Sequence, residues 1–282
     1  MTLEAFVASG KIQLEKSKLH FSSSQQHMDQ LVLRTLGWTA TQLFLKKKEE
    51  LEPEDLHQLQ VVLEKRLKGE PLQYILGFEY FYESRFEVGP GCLIPRKETE
   101  LIVDELLFIS LEKKLRIAEL GAGSGNIGIS VLLKRPHWEW HAFEINPQSS
   151  DYAEKNRRAL LSEKSAYHLH RGDFFEQSLA EAPYDIVVAN PPYISTHEMK
   201  ELPREVLQEP HVALEAGEEG LQVIQKLLDY LPRLLKPGDL FLCEMGSGQS
   251  AMVQSELKAR KFESFSILKD LSGLPRVLKL RM

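Results

Sequence analysis

The apolar positions of this chain change their period twice. Leu56, Leu59, Leu63 and Leu67 recur at the three- and four-residue spacing of a single helix face. Pro53 suits a first helical turn, so an amphipathic helix is predicted over Pro53 to Lys68. Asp29 to Leu36 reads as a second helix, stopped by Gly37. Ser22-Ser23-Ser24-Gln25-Gln26 is polar and reads as a loop or helix start. Residues 1–75 are thus expected to form a small helical domain. The period then falls to two. Phe78, Tyr80 and Tyr82 share one parity, continued by Phe86 and Val88, which predicts a β-hairpin in a linker over 76–95. Core packing accounts for those aromatics equally well. From about Pro90 strand-like runs near Ile117, His141, His168, Val187, Leu240, Phe265 and Leu278 alternate with helical segments. Residues 96–282 are therefore expected to be an α/β domain, a mainly parallel sheet with helices on both faces.

Ligands on such sheets bind beyond the carboxyl ends of the strands, and the polar residues of interest fall there. Arg116 to Leu120 runs as a strand into Gly121-Ala122-Gly123-Ser124-Gly125, and a helix opens at about Asn126. Glycine permits positive φ and close approach of backbone to a ligand. The spacing is not Gly-x-Gly-x-x-Gly, and no Lys-Ser or Lys-Thr follows to grip a phosphate. The next strand, Glu139 to Glu144, ends in a carboxylate about twenty residues beyond the glycine turn, suited to both hydroxyls of a ribose. After the third strand, Asp173 and Phe174 suit the edge and face of an adenine, whereas Phe175 reads as core. Tyr184 to Ala189 is an apolar strand that ends in Asn190-Pro191-Pro192-Tyr193. The prolines stiffen the backbone and supply no N–H, leaving carbonyls free to accept. An amide side chain on that rim suits a planar –NH2 group held with its lone pair toward an electrophile. Glu98 and Glu100 read either as pocket-mouth acids or as helix N-terminal acids.

Composition narrows the partners. The 282 residues are 43% hydrophobic, yet no apolar run approaches the ~20 residues of a membrane span. Met1-Thr2-Leu3-Glu4 lacks a basic start and apolar block, so no signal peptide is expected. The two cysteines, Cys92 and Cys243, are too few for a zinc or disulfide framework and fit a reducing cytoplasm. Cys243 reads as core. His20, His27 and His57 are scattered, and no metal is expected. Net charge is −6; residues 1–75 carry 10 Lys+Arg against 10 Asp+Glu, so the whole excess falls on the remainder. Lys46-Lys47-Lys48 is the only basic run, and Glu49-Glu50 cancels it. A chain that clamps nucleic acid ordinarily presents a basic surface, so stable nucleic-acid binding is not expected.

Together these residues resemble the class I S-adenosylmethionine-dependent methyltransferases, and within them the HemK/PrmC family of protein-glutamine methyltransferases. Gly69-Glu70-Pro71-Leu72-Gln73-Tyr74-Ile75-Leu76-Gly77 and Phe81-Tyr82 are similar to that family's linker region. Pro90-Gly91-Cys92-Leu93-Ile94-Pro95-Arg96-Lys97-Glu98-Thr99-Glu100 is close to its Pro-Gly-x-Leu-Ile-Pro-Arg-Pro-Glu-Thr-Glu signature. Asn190-Pro191-Pro192-Tyr193, Glu209-Pro210 with Ala213-Leu214, and Lys269-Asp270-Leu271 match further elements. Lys97 departs from the usual proline, Glu119 from Asp and Phe174 from a frequent Trp.

The resemblance implies a Rossmann-like methyltransferase domain behind a helical substrate-recognition domain, with S-adenosyl-L-methionine as cofactor. It implies cofactor contacts at Gly121, Ala122, Gly123, Ser124, Gly125, Glu144, Asp173, Phe174 and Asn190. Catalysis falls to Asn190, Pro191 and Tyr193, and substrate binding to Asn190, Pro191, Pro192 and Tyr193. The implied substrate is the glutamine of the Gly-Gly-Gln motif in class-one peptide chain release factors. The alternatives are a glutamine of a ribosomal protein, a nucleic-acid amino group reached by the same tetrapeptide, and a non-catalytic adenosine-ligand sensor.

Overall fold

The structure, a computed structural model, describes residues 1–17, 19, 23–109 and 113–282. His20 and Ser22 lie outside the described residues. The chain forms two compact units, Met1–Phe78 with Leu202–Gln208, and Glu79–Glu201 with Glu209–Met282. The first unit holds helices α1 (Leu3–Lys16), α2 (Ser24–Leu36), α3 (Ala40–Leu45), α4 (Pro53–Leu67) and α5 (Leu72–Leu76). Helix α2 begins five residues before the predicted Asp29, because the Ser23 side chain caps the Gln26 N–H at 3.3 Å. It ends where predicted, on Gly37 at φ 65°. Leu59 and Leu63 of α4 pack with Leu3, Phe6, Met28 and Leu31 in one core. Arg66 is buried in this unit, pairs with Glu205, and donates to His27 Nε2 at 3.0 Å.

A hairpin of β1 (Phe78–Phe81) and β2 (Ser84–Glu87) follows. The hairpin lies where the alternation predicts it, but the shared parity does not carry one face across the turn. Phe86 and Val88 are buried, but in β1 Phe81 and Glu79 point inward and Tyr80 is exposed. The two-residue turn Tyr82-Glu83 inverts parity from one strand to the next, so odd positions of β1 share a face with even positions of β2. Phe81 and Phe86 meet edge-to-face, their centroids 6.1 Å apart.

The rest is α6 (Glu100–Leu107), β3 (Arg116–Leu120), α7 (Asn126–Lys134), β4 (Glu139–Glu144), α8 (Pro147–Leu160), β5 (Ala166–Arg171), α9 (Phe174–Glu181), β6 (Tyr184–Ala189), α10 (Gln222–Tyr230), β7 (Leu235–Glu244), α11 (Ser250–Ala259), β8 (Phe265–Lys269) and β9 (Pro275–Arg281). The seven strands form one sheet in the order β5-β4-β3-β6-β7-β9-β8. Pairs from β5 through β7 are parallel, and β9 runs antiparallel to both neighbours. Successive strand residues point to opposite faces, and both faces are covered. Ile117, Ile186, Val188 and Leu242 enter one core with Ile102 of α6 and Ile129 of α7. Ala118, Val187, Phe241 and Cys243 enter the other with Leu227 of α10 and Val253 of α11. This is the class I methyltransferase fold. Strand order reverses between β3 and β6, so their carboxyl ends open a crevice. No helix among the described residues is long and apolar enough to cross a membrane.

Candidate functional site

A cavity of about 360 Å³ lies along the carboxyl ends of the central strands. Gly121 and Gly123 after β3, Glu144 at the end of β4, Asp173 and Phe174 after β5, and Asn190 and Pro192 after β6 all line it. Gly123 stands at φ 58° with nothing within 4 Å of where a Cβ would project, so its backbone is bare toward the cavity. Its N–H donates to Glu144 Oε2 at 2.7 Å, and the Asn146 N–H donates to Glu144 Oε1 at 2.8 Å. The carboxylate is thereby held rigidly at the wall. Burial raises its pKa, opposed by those backbone donors. Asp173 caps α9 through the Phe175 N–H at 2.8 Å. Phe174 meets Phe143 edge-to-face at 5.2 Å, and both rings line the cavity. Phe175 also lines it, with Lys226 Nζ 3.8 Å from the ring centroid, so it is more than the core residue its sequence context implied.

Not every predicted residue reaches the cavity. Ala122, Ser124 and Gly125 shape the turn without lining it. Ser124 Oγ is buried 3.1 Å from Asn126 Oδ1, and Gly125, at φ 80°, leads into α7. Pro191 and Tyr193 lie outside the lining too. Glu98 and Glu100 do not line it either; Glu100 Oε1 accepts the Tyr82 N–H at 2.7 Å and ties the hairpin to α6.

Behind the Asn-Pro-Pro-Tyr rim lies a buried network that the sequence reading missed. Asn190 Nδ2 donates to Thr99 Oγ1 at 3.1 Å, and Thr99 Oγ1 donates to Glu244 Oε2 at 2.6 Å. The Tyr193 hydroxyl donates to Glu244 Oε1 at 3.3 Å. The Tyr193 carbonyl accepts from Gln249 Nε2 at 2.9 Å. The signal available was faint: Glu244 is an acid at the end of an apolar strand, as Glu144 is.

Comparison with known proteins decides the family. The PrmC N-terminal domain matches residues 7–77, and the methyltransferase small domain matches 98–238. A release factor glutamine methyltransferase of Thermodesulfovibrio yellowstonii is 33% identical over 93% of this chain and 94% of its own. The protein of that name in Neisseria gonorrhoeae is 36% identical over 85% of this chain and 87% of its own. The chain belongs to the release factor glutamine methyltransferase family. Among solved structures, the hMettl16 catalytic domain in complex with MAT2A 3'UTR hairpin 1 superposes with a TM-score of 0.55. That match covers 99% of this chain and 91% of the other at 14% identity, a likeness of fold alone.

Two elements of the family signature that are far apart in sequence meet in space. The Ile94 N–H donates to Glu209 Oε2 at 2.9 Å, and the Arg96 guanidinium pairs with the same buried carboxylate while donating to the Ile94 carbonyl at 2.7 Å. Lys97, where the family usually has proline, is exposed at the start of a short helical turn.

A second polar cluster sits at the other end of the sheet. Glu139, His141 and His168 bring three potential metal-ligand atoms within 4.8 Å of one another. Glu139 is already engaged there, by Arg116 Nε at 3.2 Å and by His141 Nε2 at 3.0 Å. His141 Nδ1 lies 3.0 Å from His170 Nε2.

Proposed function

We propose that this protein transfers the methyl group of S-adenosyl-L-methionine to the side-chain amide nitrogen of the glutamine in the Gly-Gly-Gln motif of class-one peptide chain release factors. The observation that carries the reading is the convergence of Gly123, Glu144, Phe174 and Asn190 on one cavity from four adjacent strands. The donor set fits the cofactor. The bare Gly123 backbone admits a bulky chain, Glu144 offers acceptors for a ribose diol, and Phe143 and Phe174 offer apolar cover for an adenine. Bound there, the cofactor supplies an electrophilic methyl on a sulfonium.

The protein's own groups must then orient a poor nucleophile, because an amide lone pair is delocalised into its carbonyl. Asn190 Oδ1 accepts one N–H of the substrate amide and the Pro191 carbonyl accepts the other. Two bonds fix the nitrogen and aim its lone pair, an orientation effect. They also favour the positive charge that develops on nitrogen as the new bond forms. Tyr193 supports this rim from behind. The methylated nitrogen becomes strongly acidic once charged and loses its proton to water, so no strong base is needed. Glycines beside the substrate glutamine let its backbone enter a narrow site. The helical unit, residues 1–75 with a linker over 76–95, is assigned the recognition of the release factor. Two buried thiols, Cys92 and Cys243, suit a reducing cytoplasm.

The test is incubation with labelled cofactor and either intact release factor, its Gln→Ala variant, duplex DNA or ribosomal RNA. Label is expected in the intact release factor alone. Label in nucleic acid, or persisting in the Gln→Ala protein, overturns the assignment.

A further inference from the structure

The mechanism above needs an acceptor at Asn190, yet an asparagine side chain has two chemically opposite ends and two nearly isosteric orientations. Only the hydrogen-bond network chooses between them. Here the choice is made three residues deep. An ionised carboxylate only accepts. With Thr99 Oγ1 2.6 Å from Glu244 Oε2, the Thr99 hydroxyl hydrogen is committed to Glu244. The Thr99 oxygen is then left to accept, and it faces Asn190 Nδ2 at 3.1 Å. The amide nitrogen is thereby turned away from the reacting group, and Oδ1 is left as the acceptor. Strand register makes the arrangement possible. Ala189 pairs with Cys243 across β6 and β7, so Asn190 and Glu244 leave adjacent parallel strands at the same level.

We propose that Glu244 is a positioning residue that sets the orientation of the Asn190 amide through Thr99 and steadies Tyr193. This role rests on the methyl-transfer reading and adds to it a residue outside the Asn-Pro-Pro-Tyr motif. A protonated Glu244 would itself donate to Thr99. The Thr99 hydroxyl would then be free to donate to Asn190 Oδ1, and the network would run in the opposite sense. Burial pushes the Glu244 carboxyl up to about 7, with the Thr99 and Tyr193 hydroxyls opposing. The other charged groups that act on it are Arg276 of β9 and Glu98 in the turn before α6; its neighbour Cys243 is a thiol that burial holds protonated. Arg276 favours the ionised form and Glu98 disfavours it.

The experiment compares wild type with Thr99→Val, Thr99→Ser and Glu244→Gln. It measures kcat and KM for methylation of release factor across about pH 5.5–8.5, and cofactor affinity by calorimetry. Thr99→Val removes the hydroxyl at constant shape and is expected to lower kcat roughly 100-fold, with cofactor affinity within about 2-fold. Thr99→Ser restores most of kcat, which a merely structural role for the methyl group would not predict. In wild type kcat falls as pH drops below the Glu244 titration, and that limb disappears in Glu244→Gln. A second readout needs no substrate. The side-chain amide resonances that vanish in Asn190→Ala are expected to shift with the Glu244 titration in wild type and to be pH-independent in Thr99→Val. Unchanged kcat in a folded Thr99→Val protein, or Asn190 resonances indifferent to pH in wild type, overturns the proposal. If folded, cofactor-binding wild type methylates no release factor, the functional reading fails, and the resonances still decide the role of Glu244.

Discussion

The two ends of the sheet carry polar clusters of opposite character. At the carboxyl end Glu144 and Glu244 are buried, and they are held by backbone N–H groups and by hydroxyls. Their pKa values are raised because burial penalises the charge more than these donors favour it. Glu119, on β3 beneath the glycine turn, is the extreme case, pushed up to about 8 by burial with one oxygen bonded to Trp140 Nε1 at 2.7 Å and Glu144 adding to the shift. At the amino end Glu139 behaves in the opposite way. Burial there is partial, and hydrogen bonds from His141 and Arg116 together with the Arg116 charge overcome it and lower the pKa. The Arg116 guanidinium also reaches the Glu181 and Pro183 carbonyls at 2.9 and 3.3 Å, so it ties β3 to the connection between α9 and β6. A carboxylate matched by a cation is spent on the fold. A buried one held by neutral donors is harder to ionise, and its oxygens serve a ligand or a neighbour's orientation, at a cost in stability.

Substitutions at the two ends should therefore differ in kind, and the largest effect is expected at the rim. Asn190→Ala should cost at least roughly 100-fold in kcat while the circular dichroism spectrum and melting temperature stay near wild type. Near-normal turnover in that protein would dissolve the distinction drawn for the carboxyl end. Glu144→Ala comes next, with cofactor binding weakened by about 1.5–3 kcal/mol, the scale of hydrogen bonds to charged groups. Calorimetry reads it directly, and Gly123→Val, which places a branched side chain in the bare approach, should also weaken binding.

The third expectation concerns stability against pH. The folded pKa of Glu119 lies above its ordinary value of 4.5, so its stabilising contribution is complete below about 4.5 and is lost as pH rises toward about 8. Melting temperature followed across that window should fall less steeply in Glu119→Gln than in wild type; parallel curves would show that Glu119 is not the titrating group. The smallest effect is reserved for the amino end. Glu139→Gln should leave kcat within about 2-fold and cost at most ~1 kcal/mol of stability, as expected of a partly exposed ion pair. Its sign is reversed. The folded pKa of Glu139 is depressed, so its contribution is present above the ordinary carboxylate range and is lost as pH falls through the folded value. Chemical denaturation at neutral and acid pH separates the two cases.

Much of this molecule is local in origin and so is legible along the chain. An apolar run such as Tyr184 to Ala189 must be a strand buried on both faces, and a strand that feeds Gly121 to Gly125 must turn sharply into a helix. Side-chain period and backbone freedom are properties of neighbours in sequence. They place Glu144, Asp173 and Asn190 at strand ends and fix the two halves of the architecture. Even there, the hairpin shows the limit, since a turn of two residues puts Phe81, not Tyr80, on the buried face with Phe86. What the tertiary structure alone decided is which strand ends stand beside one another. Thr99 and Glu244 are 145 residues apart, and Asn190 is 91 from Thr99. Arg96 and Glu209 are 113 apart. No periodicity couples positions so distant. Strand order and register do, because parallel strands bring residues from separate crossovers to one level, and a hydrogen bond forms only where both partners arrive together.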